Sequence, residues 1–203
     1  MQKLIWAEWK KLRRSSIIIF TILATVLVAV IVLLAGQGMT TEGYYLNDAG
    51  WYMTMIQPWA TMFVLPAVIA MLGSYMICRE EQDDTLKSLL LIPVSETKLT
   101  AAKMIVTFIL SILLYLLLFV ITLMTEIILH FSALSASMVL GFFKSYLLES
   151  IGVFLAVSPI IVLVSYTKKS YWLDLLLAEI YSFAALFMSM SSVTKTFIQL
   201  RRY

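Results

Sequence analysis

The acidic side chains that could do chemistry in this sequence stand inside or beside long apolar segments. Glu179 lies within the apolar stretch 172–193 and Asp174 lies near its start, whereas Glu126 and Glu149 stand at the borders of other apolar stretches. Because an ionisable group at bilayer depth costs several kcal/mol, such a group usually faces a cavity or a partner. Glu179 and Asp174 are therefore candidates to line a polar path or gate, with a structural role as the alternative. Glu126 and Glu149 are expected to be interfacial.

The sequence has too few suitable residues for a zinc site, for glutamate-type proteolysis or for a disulfide. His130 is the single histidine, and an intramembrane zinc site needs several such ligands. The pair Glu80 and Glu81 is similar to the first motif of glutamate-type intramembrane proteases, but the further motifs need more histidines. Cys78 is the single cysteine, so no intrachain disulfide can form. We predict no catalytic residue, no metal and no cofactor, and therefore no enzyme.

The composition indicates that this chain is an integral membrane protein. Of its 203 residues, 62% are hydrophobic and 13% are charged, against roughly a quarter charged in soluble domains. All spans are expected to be helical, because strands would leave backbone groups unpaired in lipid. The predicted fold is therefore all-α, a polytopic membrane protein with one domain over residues 1–203. Five apolar segments are long enough to cross the bilayer: 17–35, 58–78, 104–125, 146–167 and 172–193.

The ends of these spans carry further predictions. The first apolar run exceeds the ~7 to 15 apolar residues of a signal peptide, so it is interpreted as a retained span. Pro58 is expected in the first turn of the second span, where its missing N–H costs nothing. The segment 36–57, with four glycines and several aromatic residues, is predicted to be a loop at the opposite face.

Positive charge sets the predicted orientation. With the N-terminus in the cytoplasm, the inner segments 1–16, 79–103 and 168–169 hold 5, 4 and 2 lysines or arginines. The outer segments 36–57 and 126–144 hold none and one. This asymmetry follows the positive-inside rule. The C-terminal tail, with Lys195, Arg201 and Arg202, disagrees because five spans place it outside, so a sixth span stays an alternative.

Residues 1–16 are predicted to contain an interfacial helix. Ile5, Trp6, Trp9 and Leu12 fall on one helical face, and tryptophan beside basic residues suits the headgroup region. A basic leader that only sets the topology is the alternative.

A charged segment separates the second and third predicted spans, with nine charged side chains between residues 79 and 103. Leu86, Leu89 and Leu90 recur at helical spacing, and Pro93 ends that helix because proline disfavours α geometry in the preceding residue. Ser95 is a suitable N-cap for the next helix. We therefore predict a helix–turn–helix elbow on the cytoplasmic face over residues 79–99, with an ordinary charged loop as the alternative.

This elbow carries a family resemblance. The sequence EEQDDTLKSLLLIPVSETKLTAAK, residues 80–103, resembles a pattern found after the second span of type-2 ATP-binding-cassette permeases, E-x-E-x-G-T-L-K-x-L-L-x-x-P-V-S-R-x-K-L-x-x-x-K. Asp84 and Glu96 depart from the glycine and arginine of that pattern. The opening EWKKLRRS, residues 8–15, is also similar to the usual start of the family. In length and style the chain resembles permeases of lantibiotic-immunity and bacitracin-type exporters.

The resemblance implies a partner and a mechanism. In that family the elbow is a coupling helix that docks on an ATPase subunit, and this chain has no G-x-x-x-x-G-K-[S/T] with which to hold ATP phosphates. ATP is therefore expected in a separate subunit. The residues expected to couple to it are Glu80, Glu81, Thr85, Leu86, Leu89, Leu90 and Pro93.

It also implies an assembly in the bacterial plasma membrane. Two permease chains, identical or sister subunits, would pair with two ATPase subunits and export amphipathic peptides or antibiotics. Membrane lipid is a further expected partner, and nucleic acid is not. The alternative is a membrane immunity or scaffold protein that sequesters a peptide without transport.

Overall fold

The described parts of the chain are helical. The computed structural model describes residues 2–38, 49–82, 96–131, 133–167 and 176–183. Within these ranges there is no β-strand, which confirms the predicted all-α fold. The helices are α1 (Gln2–Arg13), α2 (Ser16–Gly38), α3 (Trp51–Trp59), a π-helical segment (Ala60–Val64), α4 (Leu65–Gln82), α5 (Glu96–His130), α6 (Ala136–Thr167) and α7 (176–183).

Within the described residues, four helical stretches are long and apolar enough to cross a membrane: Ser16–Gly36, Trp51–Arg79, Thr97–His130 and Ala136–Leu163. They correspond to the first four predicted spans. The fifth predicted span, 172–193, is described only over the short helix α7, so it stays a prediction.

The second span begins earlier than the sequence predicted. Residues 51–57, placed in a loop from their mixed aromatic and polar composition, form most of α3. Gly50 precedes α3 with a φ of 87°, a conformation that glycine adopts without steric cost. Pro58 is consequently the eighth residue of this helix and not part of its first turn. The π-helical segment follows directly and ends two residues before Pro66, whose ring crowds the carbonyl of Met62, four residues earlier and inside the segment.

Helices α5 and α6 also extend beyond their predicted ends. Helix α5 has 35 residues, about 52 Å at 1.5 Å per residue, against ~30 Å of hydrocarbon. Only residues 131–135 separate α5 from α6. The predicted outer segment 126–144 is therefore mostly helical, and Lys144 lies on the exposed side of α6.

Helix α5 is the centre of the bundle and packs against α1, α2, α3, α4 and α6. Its contacts with the second span pair Thr107 with Met76 and Tyr115 with Thr61. Because rising numbers on one helix meet falling numbers on the other, the two are antiparallel. Helix α6 runs parallel to the second span, since Thr61 meets Glu149 and Gly73 faces Ile161.

Helix α2 divides into two faces by side-chain size. Its inward face carries small or β-branched residues, among them Thr21, Thr25 and Ala29, all buried. Its outward face carries large apolar side chains such as Leu23, Leu27 and Leu34, all exposed. Lipid is the natural solvent of such a face, which explains why this helix is apolar all round.

Helix α1 is confirmed near the predicted range but presents a different face. Glu8 and Leu12 are buried, and Trp9 packs against the core. Trp6, predicted on the same face, is 64% exposed with the Lys10 ammonium 4.9 Å from its ring. The inward face of α1 therefore includes Glu8 and Leu12, which are four residues apart. The prediction from apolar residues alone did not include Glu8.

Candidate functional site

The C-terminal end of α4 and the N-terminal end of α5 border the predicted coupling element. Helix α4 continues past its membrane window to Gln82, so the backbones of Glu80 and Glu81 form its last turn. Helix α5 begins at Glu96, in agreement with a new helix after Pro93. The other predicted coupling residues lie outside the described residues: Thr85, Leu86, Leu89, Leu90 and Pro93.

Helix α1 packs at this same end of the bundle. The Ser15 and Tyr75 hydroxyl groups are hydrogen-bonded at 2.7 Å and join the α1–α2 connection to α4. The Arg79 guanidinium stands 5.5 Å from the centre of the Tyr75 ring. A pocket between α1 and α4 is lined by Glu8, Lys11, Leu12, Met76 and Arg79. The C-terminal part of α4 therefore contacts both α1 and the α1–α2 connection, directly before the predicted coupling element.

Within the membrane region, a chain of hydroxyl groups reaches Glu149. Thr61 of the π-helical segment donates to Glu149 Oε2 at 2.9 Å. Tyr115 of α5 donates to Thr61 Oγ1 at 3.2 Å. Three elements of the bundle therefore meet at one carboxylate. The interfacial position predicted for Glu149 is wrong, because α6 begins at Ala136 and places this residue near the middle of its span.

Glu126 lies four residues before the end of the candidate span Thr97–His130, so its interfacial position stays a prediction. Its side chain is fully buried in the protein. Glu126 Oε1 accepts from the Tyr52 backbone N–H at 2.8 Å, and Oε2 lies 3.0 Å from His130 Nδ1. The Tyr52 hydroxyl donates to the Ala29 carbonyl at 2.6 Å. This carboxylate satisfies an N-terminal backbone donor of α3, a group that no helical partner can bond.

The candidate path residues lie apart from these networks. Glu179 is partly buried on α7, whose Ala178 and Ser182 are buried. The rings of Phe183 and Phe63 meet edge to face with centroids 5.5 Å apart, which places α7 against the π-helical segment. Asp174 lies outside the described residues. The π-helical segment thus contacts two helices that each carry an acid, α6 through Thr61 and α7 through Phe63.

Metal binding finds no support in the part of the chain that the structure describes, where no three His, Cys, Asp or Glu side chains are grouped closely enough. The described residues form a helical bundle with polar contacts inside its membrane region, and a charged connection joins two of its helices at one end.

Comparison with known proteins identifies the family. Residues 4–185 match the model of a family described as ABC-2 family transporter protein. The chain belongs to this family. It is also 35% identical over 88 residues to a bacitracin transport permease protein of Bacillus licheniformis, a match that spans 43% of this chain and 42% of that relative. The aligned part thus covers less than half of the relative's length. No solved structure matches.

Two site residues of this ABC-2 family transporter protein, Thr61 and Tyr115, were not predicted from the sequence. The mid-span position of Glu149 was not predicted either. A signal for the last was present, because apolar residues recur from Val139 through Phe143 at helical spacing. That periodicity could have extended the fourth span toward Ala136. Thr61 and Tyr115 carried no comparable signal, since isolated hydroxyl groups occur throughout apolar helices.

Proposed function

We propose that this chain is the permease subunit of an ATP-driven exporter whose ATPase is a separate polypeptide. The family assignment and the multi-pass fold support the permease role. The bacitracin transport permease among its relatives supports amphipathic peptides or antibiotics as the substrate class. In this proposal the N-terminus is cytoplasmic, and the membrane is the bacterial plasma membrane.

The observation that carries the mechanism is the antiparallel packing of α4 against α5 on either side of the charged connection. The connection comprises residues 83–95, and its two flanking helices are in direct contact, with Thr107 of α5 meeting Met76 of α4. A force applied to the connection would therefore be transmitted to both helices. Because α4 also continues into the π-helical segment, the movement would reach the level of Thr61 and Glu149.

The exposed face of α2 supports a second permease chain in the complex. This helix presents large apolar side chains outward, and its membrane window is only 28% buried. A second copy or a sister subunit would cover part of this surface, and lipid would cover the rest.

The test is co-purification followed by transport. The tagged chain is expressed with candidate ATP-binding-cassette ATPases from its own genome, purified, and reconstituted so that ATP is supplied on the cytoplasmic side. We expect the ATPase to co-purify in a 1:1 ratio and ATP-dependent movement of bacitracin across the bilayer. A chain that captures no ATPase yet still binds bacitracin would overturn the proposal in favour of a membrane immunity protein that sequesters its peptide.

A further inference from the structure

Glu149 occupies the centre of a membrane span. The span of α6 runs from Ala136 to Leu163, so Glu149 is 13 residues from its start and 14 from its end. At about 1.5 Å per residue, Glu149 lies ~20 Å along the helix axis from either end of this span. An acid at this depth is costly unless a polar group or a cation compensates it.

One side of the Glu149 carboxylate is built into the protein. Oε2 accepts from Thr61, and Thr61 accepts from Tyr115, whose side chain is fully buried. Both donors come from other helical elements, so they hold the carboxylate in one orientation. A hydrogen bond from a neutral donor to a charged acceptor is stronger than one between neutral groups, and it stabilises the ionised form.

The other side of the carboxylate is open. Among the described residues, Glu149 Oε1 has no hydrogen-bond partner, and the side chain is partly exposed. One turn further along α6, Gly152 has no described atom within 4 Å of the position that a Cβ would occupy. Leu148 and Leu155 beside it are 60% and 62% exposed. An acid with one fixed and one free oxygen therefore borders an unfilled apolar surface at mid-membrane.

We propose, on the basis of the exporter function proposed above, that Glu149 binds a protonated amine of an amphipathic substrate that enters from the lipid. The free oxygen would accept from the amine, and the substrate's apolar part would lie along Leu148, Gly152 and Leu155. Thr61 is a positioning residue, because it orients the carboxylate without contacting the substrate. Charge complementarity decides the occupant, since a cation beside this carboxylate would compensate the cost of an acid at this depth and a neutral group of the same size would not.

The experiment measures binding to the full-length chain in phosphatidylcholine nanodiscs. The probes are two fluorescent helical peptides of equal length, one of leucine and lysine and one of leucine and glutamine. A charge-assisted hydrogen bond predicts at least about tenfold tighter binding of the lysine peptide. Glu149→Gln should remove this preference, by weakening binding of the lysine peptide more than binding of the glutamine peptide, since glutamine keeps the acceptor for Thr61 but carries no charge. Thr61→Val should reduce the preference severalfold, and Glu149→Asp should retain part of it.

The outcomes separate this proposal from the exporter function. Equal binding of the two peptides by the wild-type chain, or an unchanged preference in Glu149→Gln, overturns the amine site even if the ATPase co-purifies. Disulfide cross-linking of Glu149→Cys to a second copy in the Cys78→Ser background would also overturn it, because the open side would then be a chain–chain contact. A clear preference without any ATPase partner would keep the amine site and reject the exporter.

Discussion

Glu126 of α5 accepts a hydrogen bond from the backbone N–H of Tyr52 at 2.8 Å, across 74 positions of sequence. Helix α3 therefore begins where a carboxylate from another helix satisfies one of its unpaired donors. The same Tyr52 reaches the Ala29 carbonyl through its hydroxyl group. One pair of residues thereby joins α5, α3 and α2 at the end of the bundle opposite to Gln82 and Glu96.

Glu126→Ala is expected to lower the thermal stability of the detergent-solubilised protein. The Tyr52 N–H would stay buried without an acceptor, at a cost of about 1–3 kcal/mol. Glu126→Gln should lose less, because its carbonyl oxygen can still accept. Met124→Ala, at a side chain that is 55% exposed on the same helix, is the control. Equal Tm values for Glu126→Ala and Met124→Ala would contradict a stabilising role for this contact.

Reversing Glu80 and Glu81 to lysine is expected to uncouple the complex. The change alters charge at the last turn of α4 and leaves the membrane spans intact, so expression should stay normal while ATPase co-purification and transport decrease. Lys144→Glu on the exposed side of α6 is the control for a charge reversal outside the coupling segment. Normal co-purification and transport in the Glu80/Glu81 variant would sink the docking role.

Glu179→Gln is expected to reduce transport while expression stays nearly normal, because a path residue acts through its charge. Glu179→Leu should also fold, since the side chain is only partly buried. Tyr181→Phe, which removes a polar group from an exposed side chain two residues away, is the control. Transport by Glu179→Leu at the wild-type rate would show that the acid is incidental.

Gly73→Ala is expected to destabilise the contact between α4 and α6. A Cβ at this position would overlap Ile161 Cδ1 and lie 3.0 Å from both Cγ atoms of a side chain that is fully buried. Overpacking of this kind costs about 1–3 kcal/mol. Gly141→Ala, where no described atom lies within 4 Å, should keep or raise the Tm. Adding Ile161→Val to Gly73→Ala should recover part of the loss, and no recovery would contradict this origin.

The C-terminal tail is expected outside if the chain has five spans. In a Cys78→Ser background, Leu200→Cys should react with a membrane-impermeant maleimide in intact cells. Gln2→Cys, at an exposed position of the N-terminal helix, should react only after the membrane is permeabilised. Labelling of residue 200 that also requires permeabilisation would place Arg201 and Arg202 in the cytoplasm and reject the five-span topology.

The sequence by itself determined that the chain lies in a membrane, that its fold is all-α, and approximately where four spans lie. Apolar runs of membrane length admit few folds, because every backbone group in lipid must be bonded within its own helix. The family was also predictable, since the pattern over residues 80–103 is a local property of the chain. Helix α1 and the restart at Glu96 followed from local periodicity and proline placement.

Only the tertiary structure decided where the helices end and which acids lie inside. Residues 51–57 have the composition of a loop, yet they fold as part of α3. Glu126 and Ala29, on distant helices, accept hydrogen bonds from the backbone N–H and the hydroxyl group of Tyr52. Glu149 sits mid-span because α6 continues to Ala136, and Thr61 meets it because two helices run parallel. Such contacts depend on how helices pack, and packing is set by the whole bundle and not by the residues near any one position.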